Sequence, residues 1–354
     1  MTPEMLSLSN SPLLFVVAMM VKILVVFGVL MGIVAYATYA ERKIIGRMQC
    51  RLGPMETGWY GLLQPIADGI KLFFKEDIIP SEANKLPFIL APMMILVPAL
   101  ITMAVVPFGD DFTFTWGQHA YLIPLQITDL NIGILFILAM AGLGVYGIVL
   151  AGWASNNKYS LLGGIRSAAQ MVSYELTAGL VIVSLFMMAE TLSLRGIVSA
   201  QMEPLWGIAS MPHWMHNWYI FSQPLAFVLF MFSGMAEINR TPFDLPEAET
   251  ELVSGFCTEY SSMKYAMFFM AEYANMIVIA AITATLFLGG WDGPFYGPVN
   301  FLLKVFGFMF FFIWIRATWP RVRYDQLMFM GWKIFLPLSL LNIVATGFVI
   351  LMFQ

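Results

Sequence analysis

AEINRTPFDLPEAETELVSGFCTEYSSMKYAMFFMAEYAN, residues 236–275, joins the end of one apolar run to the middle of the next. Glu237, Asp244, Glu247, Glu249, Glu251 and Glu259 crowd the polar stretch, and Arg240 is the one base among them. A seventh acid, Glu272, stands inside the following apolar run, where an ionised group costs on the order of 2.5–3.5 kcal/mol or more. An acidic loop hung between two apolar runs reads as part of a membrane protein. That much carboxylate beside a bilayer points to proton chemistry.

The rest of the chain agrees on the solvent. Of its 354 residues, 60% are hydrophobic and 11% charged, against roughly 45–50% and about 25% in ordinary globular domains. A bilayer core of about 30 Å takes about 20 apolar residues per helical crossing. Eight runs qualify: 13–40, 87–108, 131–153, 168–189, 218–236, 265–289, 301–318 and 329–353. The fold class is therefore an all-α polytopic membrane protein, a single integral membrane domain over 1–354 with about eight transmembrane helices. The first twelve residues hold Glu4 and no base, and the run that follows is too long for the core of a cleavable signal. Cys50 and Cys257 form no CxxC, so neither a disulfide framework nor an iron–sulfur cluster is indicated.

Basic residues set the orientation. All but three of the 18 Lys and Arg (Lys22, Arg195 and Lys304) fall in the odd-numbered loops and their flanks. The positive-inside rule puts those loops in the cytoplasm and both termini on the periplasmic side. The acidic loop 237–264 is then cytoplasmic, with an excess of acid on the side expected to be basic.

Loop one carries a further element. Over 56–77, Trp59, Leu62, Leu63, Ile66, Ile70, Phe73 and Phe74 follow one face of a 3.6-residue period, and Gln64, Asp68, Lys71 and Lys75 repeat on another. Too polar to span, it reads as an amphipathic helix on the cytoplasmic interface. It is either a plain surface anchor or the frame of an entrance with Asp68 and Lys71 turned inward.

Four acids stand near the cytoplasmic boundary. Glu41 closes the first run and Glu237 the fifth; Glu175 and Glu272 lie about two turns inside the fourth and sixth, roughly 10 Å along a helix. Burial makes a carboxyl's charge depend on local conformation, which suits proton relay. The plainer reading pairs each with Arg42, Arg51, Arg240 or Arg316 as a structural tie. His213 and His216 stand i, i+3 in an outer loop without the four ligands of a zinc site, His119 is isolated, and no metal site is expected. No GxxxxGK[ST] string or other nucleotide fingerprint occurs, and nothing points to nucleic acid.

Six strings are more specific: AERKIIGRMQCRLGP (40–54), GLLQPIADGIKLFFKE (61–76), GWASNNKYSLLGGIRSAAQMVSYE (152–175), AEINRTPFDLPEAETELVSGFCTEY (236–260), FFMAEYANM (268–276) and WIRATWPRVRYDQLM (314–328). In them the chain resembles the H-subunit family of NADH-quinone oxidoreductase, respiratory complex I, whose mitochondrial members are called NADH dehydrogenase subunit 1. The resemblance runs from about residue 39 to 337. It implies a membrane subunit, without a complete active site of its own, that walls most of the quinone access tunnel in the bacterial inner membrane, or the mitochondrial one if organellar. Quinone is the substrate, while FMN and iron–sulfur clusters belong to partner subunits of the peripheral arm; small and antiporter-like subunits flank it in the membrane arm.

Carried over by motif, Glu41, Arg42, Arg51, Asp68 and Lys71 line the tunnel mouth and lower wall, and Arg316, Arg321, Arg323 and Asp325 complete its rim. Arg240 and Asp244, with Glu237, Glu247, Glu249, Glu251 and Glu259, form a charged floor in which Arg240 organises the surrounding acids. Glu175 and Glu272 start an acidic path toward the antiporter-like subunits. Two alternatives stand beside this: a homologous subunit of an ion-pumping membrane hydrogenase, and a stand-alone secondary transporter, which internal repeats with broken helices would mark. No halves of this chain resemble each other.

Overall fold

The computed structural model describes residues 4–7, 12–116, 119–202, 217–246 and 249–353. In chain order the elements are β1 (Glu4–Ser7), α1 (Pro12–Met48), α2 (Gln64–Phe74), α3 (Lys85–Thr102), β2 (Phe112–Trp116), β3 (His119–Ile123), α4 (Gly133–Ala154), α5 (Lys158–Ala189), α6 (Leu194–Gln201), α7 (Tyr219–Ser222), α8 (Pro224–Glu237), α9 (Glu249–Leu252), α10 (Ser262–Phe287), α11 (Gly297–Thr318), α12 (Tyr324–Phe329) and α13 (Leu336–Phe353). Seven helices among the described residues are long and apolar enough to cross a bilayer: α1, α3, α4, α5, α10, α11 and the continuous run through α12 and α13. α10 is the central post, with 72% of its apolar window buried, whereas α1 stands at the periphery with 6%.

Close backbone approach holds the middle of the bundle together. A Cβ on Gly147 of α4 would lie 2.4 Å from the Ile95 side chain of α3, and one on Gly152 would lie 2.6 Å from the Ser160 carbonyl of α5. Small residues at such crossings let transmembrane helices pack by dispersion where lipid offers no hydrophobic driving force. In this way α4 packs between α3 and α5, and α3 packs in turn against α10.

Several features depart from the reading by hydropathy. The fifth run, 218–236, is two helices, because Pro224 drives Gln223 out of the α region (φ −131°, ψ 56°) and splits α7 from α8, which has only 14 residues. The fourth helix starts at Lys158 rather than near 168, so Glu175 lies 17 residues, about 26 Å, along it instead of two turns. The interval 109–130 holds β2 and β3, antiparallel with Phe112 opposite Ile123, and β3 also pairs in parallel with β1; alternating β-branched and aromatic residues in FTFTW suit a strand. In the last crossing, residues Met330–Phe335 widen into a π-helix just before Pro337, which has no N–H for the carbonyl one turn back.

Candidate functional site

The site begins where α8 ends. Asn239 takes a left-handed φ of 57°, which terminates the helix, and the chain turns back under the bundle. Gln170, fully buried on α5, holds that turn by donating Nε2 to the carbonyls of Ala236 at 2.7 Å and Phe243 at 2.8 Å. Arg240 is thereby aimed into the gap between α1, α10 and α11. Its Nη1 donates to Glu41 Oε2 at 2.5 Å and its Nη2 to Glu272 Oε2 at 3.4 Å. The Tyr273 hydroxyl donates to the same Glu41 oxygen at 3.0 Å, and its ring lies 4.1 Å from the Arg240 guanidinium carbon. Arg316 of α11 donates to the other oxygen of Glu41.

Two acids and two arginines from four separate segments thus balance in charge. The Glu41, Glu272 and Arg240 side chains are only 8%, 13% and 11% exposed, so each ion carries a desolvation cost of several kcal/mol. Short charge-assisted bonds and the aromatic face offset that cost. Withdrawing one member leaves another charge buried without its partner.

Behind Glu272 lies a cavity of about 60 Å³ among α3, α4, α5, α8 and α10, lined mainly by apolar side chains with Glu237, Asn239, Glu272 and Asn275. A water occupies about 30 Å³ of liquid, so the cavity has room for about two of them. Glu175 stands beside it, its carboxylate oxygen 3.1 Å from where a Cβ on Gly142 would lie, and it interacts through charge with Glu237. No ion pair to Glu175 or Glu237 occurs among the described residues. The structure therefore brings Glu41, Arg240, Glu272 and Arg316 into contact, with Glu237 lining the same cavity as Glu272 and Glu175 within charge range of Glu237.

Among the described loop acids, Glu251 and Glu259 bond partners other than Arg240. Glu251 is exposed and pairs with Arg166 at 2.7 Å. Hydrogen bonding to that guanidinium, helped by the nearby charges of Arg321 and Arg323, holds the Glu251 carboxyl below its ordinary range. Glu259 accepts from Asn157 Nδ2 at 2.7 Å, and Asp244 is half-buried in the turn. Glu247 lies outside the described residues, and of Glu249 only the backbone, in α9, is described. His213 and His216 also lie outside them.

Toward the end of α1, Arg42 pairs with Asp68 at 2.7 Å and Gln64 donates to Asp68 at 3.0 Å, tying α1 to α2. Lys71 is exposed and not drawn into that contact; Arg51 is exposed, and its side chain bonds Gln49. Trp59, Phe73 and Phe74 stand 79%, 68% and 81% exposed, an apolar face turned away from the bundle. Arg323 and Asp325 are exposed at the start of α12, and Arg321 is half-buried. Glu41 does not close α1, which runs on to Met48.

Residues 21–347 match the family model described as NADH dehydrogenase. The chain is 62% identical to H-subunit 2 of the NADH-quinone oxidoreductase of Geobacter metallireducens, over 96% of its own length and 97% of that protein's. It is 60% identical to H-subunit 1 of the Geobacter sulfurreducens enzyme over the same shares, and 53% to the H-subunit of the Thermomicrobium roseum enzyme over 92% and 94%. The chain belongs to the H-subunit family of NADH-quinone oxidoreductase. Within the H-subunit motifs, Gln170 and Tyr273 are site residues that sequence reasoning missed, although a glutamine inside AAQMVSYE and a tyrosine beside Glu272 are polar groups in apolar runs. Asn275, inside the run 265–289, offers the same signal, whereas Asn239, beyond the end of the fifth run, does not.

Proposed function

We propose that this chain is the membrane subunit of a proton-pumping NADH:quinone oxidoreductase, walling most of the quinone's path and passing the effect of quinone reduction to protons. The observation that supports it is Arg240. One loop residue grips Glu41 on α1 and Glu272 on α10, and Glu272 also faces the cavity that contains Glu237. Displacing the loop withdraws the cation from both acids, so loop position and proton occupancy are linked, and the carboxylates titrate as a coupled group.

The remaining pieces fit a quinone, a flat polar head on a long apolar tail. The exposed aromatic face of α2 suits the tail at the bilayer surface, and the arginine-rich inner end suits the head. Electrons arrive from flavin and iron–sulfur clusters in partner subunits of the peripheral arm, and protons continue through neighbouring membrane subunits. On this reading the basic loops face the cytoplasm, both termini face the periplasm, and the membrane is the bacterial inner membrane.

A photoreactive quinone analogue on the assembled complex tests the path. Label in residues 56–77 and in the turn 238–246, removed by excess quinone, is the expected result. Label confined to other subunits, with none in this chain, would refute the reading.

A further inference from the structure

A groove of about 390 Å³ runs between α1 and α11 on the outer flank of the bundle, separate from α2 and its aromatic face. On α1 its wall is the stripe Val29, Tyr36, Ala40 and Ile44, and on α11 the rims are Phe306 and Phe310, about half exposed. From Val29 to Ile44 is 15 residues, about 22 Å of helix. That equals one leaflet's hydrocarbon, about 15 Å, plus its interfacial zone.

The stripe ends on a cation. Arg47 follows Ile44 by three residues and Ala40 by seven, so it continues the same face in the last turn of α1. It is exposed and has no ion-pair partner among the described residues. On the facing helix Arg316 follows Ile313 of the groove by three residues, and its side chain keeps 34% exposure beyond its bond to Glu41. We propose that this groove seats one anionic phospholipid of the leaflet at that end, its acyl chain along the groove and its phosphate forked by Arg47 and Arg316. Guanidinium groups match phosphate oxygens bidentately, which a neutral head would not use. A transmembrane helix, about 10 Å across, needs several times this volume over the same length. The proposal stands independently of the quinone reading.

The test uses the assembled complex in phosphatidylcholine nanodiscs doped with phosphatidylglycerol or phosphatidylcholine carrying a diazirine on the acyl chain. Labelled peptides are then mapped. The phosphatidylglycerol probe is expected to label 29–44 and 306–313 at least severalfold more than the phosphatidylcholine probe. Arg47→Gln should reduce the ratio to one, and Arg47→Lys should restore part of it. Gly32→Phe, placed where an added Cβ meets no atom within 4 Å, should fill the groove and abolish both labels without disturbing the bundle. Equal labelling by the two lipids, a ratio unchanged in Arg47→Gln, or no label in either segment would overturn the proposal. Displacement of the label by a neutral quinone analogue and not by unlabelled phosphatidylglycerol would do the same.

Discussion

Replacing Arg240 by alanine removes the cation between two buried carboxylates. At contact distances of 2.5 and 3.4 Å and an effective dielectric near 20, each attraction is about 5–7 kcal/mol before desolvation. Desolvation cancels most of that, and breaking a buried pair from one side costs about 3–5 kcal/mol. Because Arg316 still holds Glu41, the lower end applies, about 3 kcal/mol, or roughly a hundredfold in the population of open states. Cys257, 2% exposed and packed in the apolar cluster that also contains Phe268 and Ala271 of α10, reports such opening. Isotope-coded maleimide added to the assembled complex, with the Cys257 peptide quantified by mass spectrometry, gives its rate. Arg240→Ala should speed labelling roughly a hundredfold, and adding Glu272→Gln should recover about 1–2 kcal/mol of the loss. Labelling of Arg240→Ala within threefold of the parent, or no recovery in the double variant, would refute the assignment of Arg240 as a buried bridge.

Three further outcomes follow from the same geometry. Gly152→Leu forces a side chain onto the Ser160 backbone, so at least about 1–3 kcal/mol of overpacking strain should show as a lower thermal midpoint of the complex, while Gly32→Leu at the open flank should leave it unchanged. The Glu251–Arg166 bond anchors the α9 loop through a carboxyl held below its ordinary range. Its anchoring is therefore complete above the unfolded value of about 4.3 and lost as pH falls through the lower folded value; hydrogen exchange of 251–257 should be flat from pH 7 to 5 once corrected for intrinsic rates and rise only below that, and Glu251→Gln should remove the step. Gln170→Leu leaves the carbonyls of Ala236 and Phe243 without their donor, about 1–3 kcal/mol, and should lower quinone reductase activity while NADH oxidation by an artificial acceptor at the peripheral arm persists.

How much of this is legible in sequence depends on range. Apolar runs mark helices because lipid demands them, so the crossings can be read, and the Gln223–Pro224 break is visible in principle. The first half of α5 is not: Leu161, Leu162 and Ile165 face outward while the polar Ser160, Ser167 and Gln170 are fully buried, and those inward polar groups lower the hydropathy so that KYSLLGGIRSAAQ passes for a loop. The β strands escape notice because five-residue alternations are too short to outweigh a polar interval. The acids and arginines of the site all stand out in the sequence, but their pairing does not. Arg240 meets Glu41 across 199 residues, and no local pattern encodes which acid a loop arginine reaches. Hence the expected cluster round Arg240 consists of loop neighbours, whereas its real contacts come from two transmembrane helices.

The most direct measurement on the central claim is the number of protons translocated per quinone reduced in proteoliposomes of the assembled complex carrying Glu237→Gln, which keeps the side chain's size and removes its charge beside the cavity. The account predicts a fall in that ratio or in quinone reduction itself, with the peripheral-arm NADH oxidation intact. Quinone reduction and proton yield both equal to the parent's, in Glu237→Gln and in Glu272→Gln alike, would contradict it.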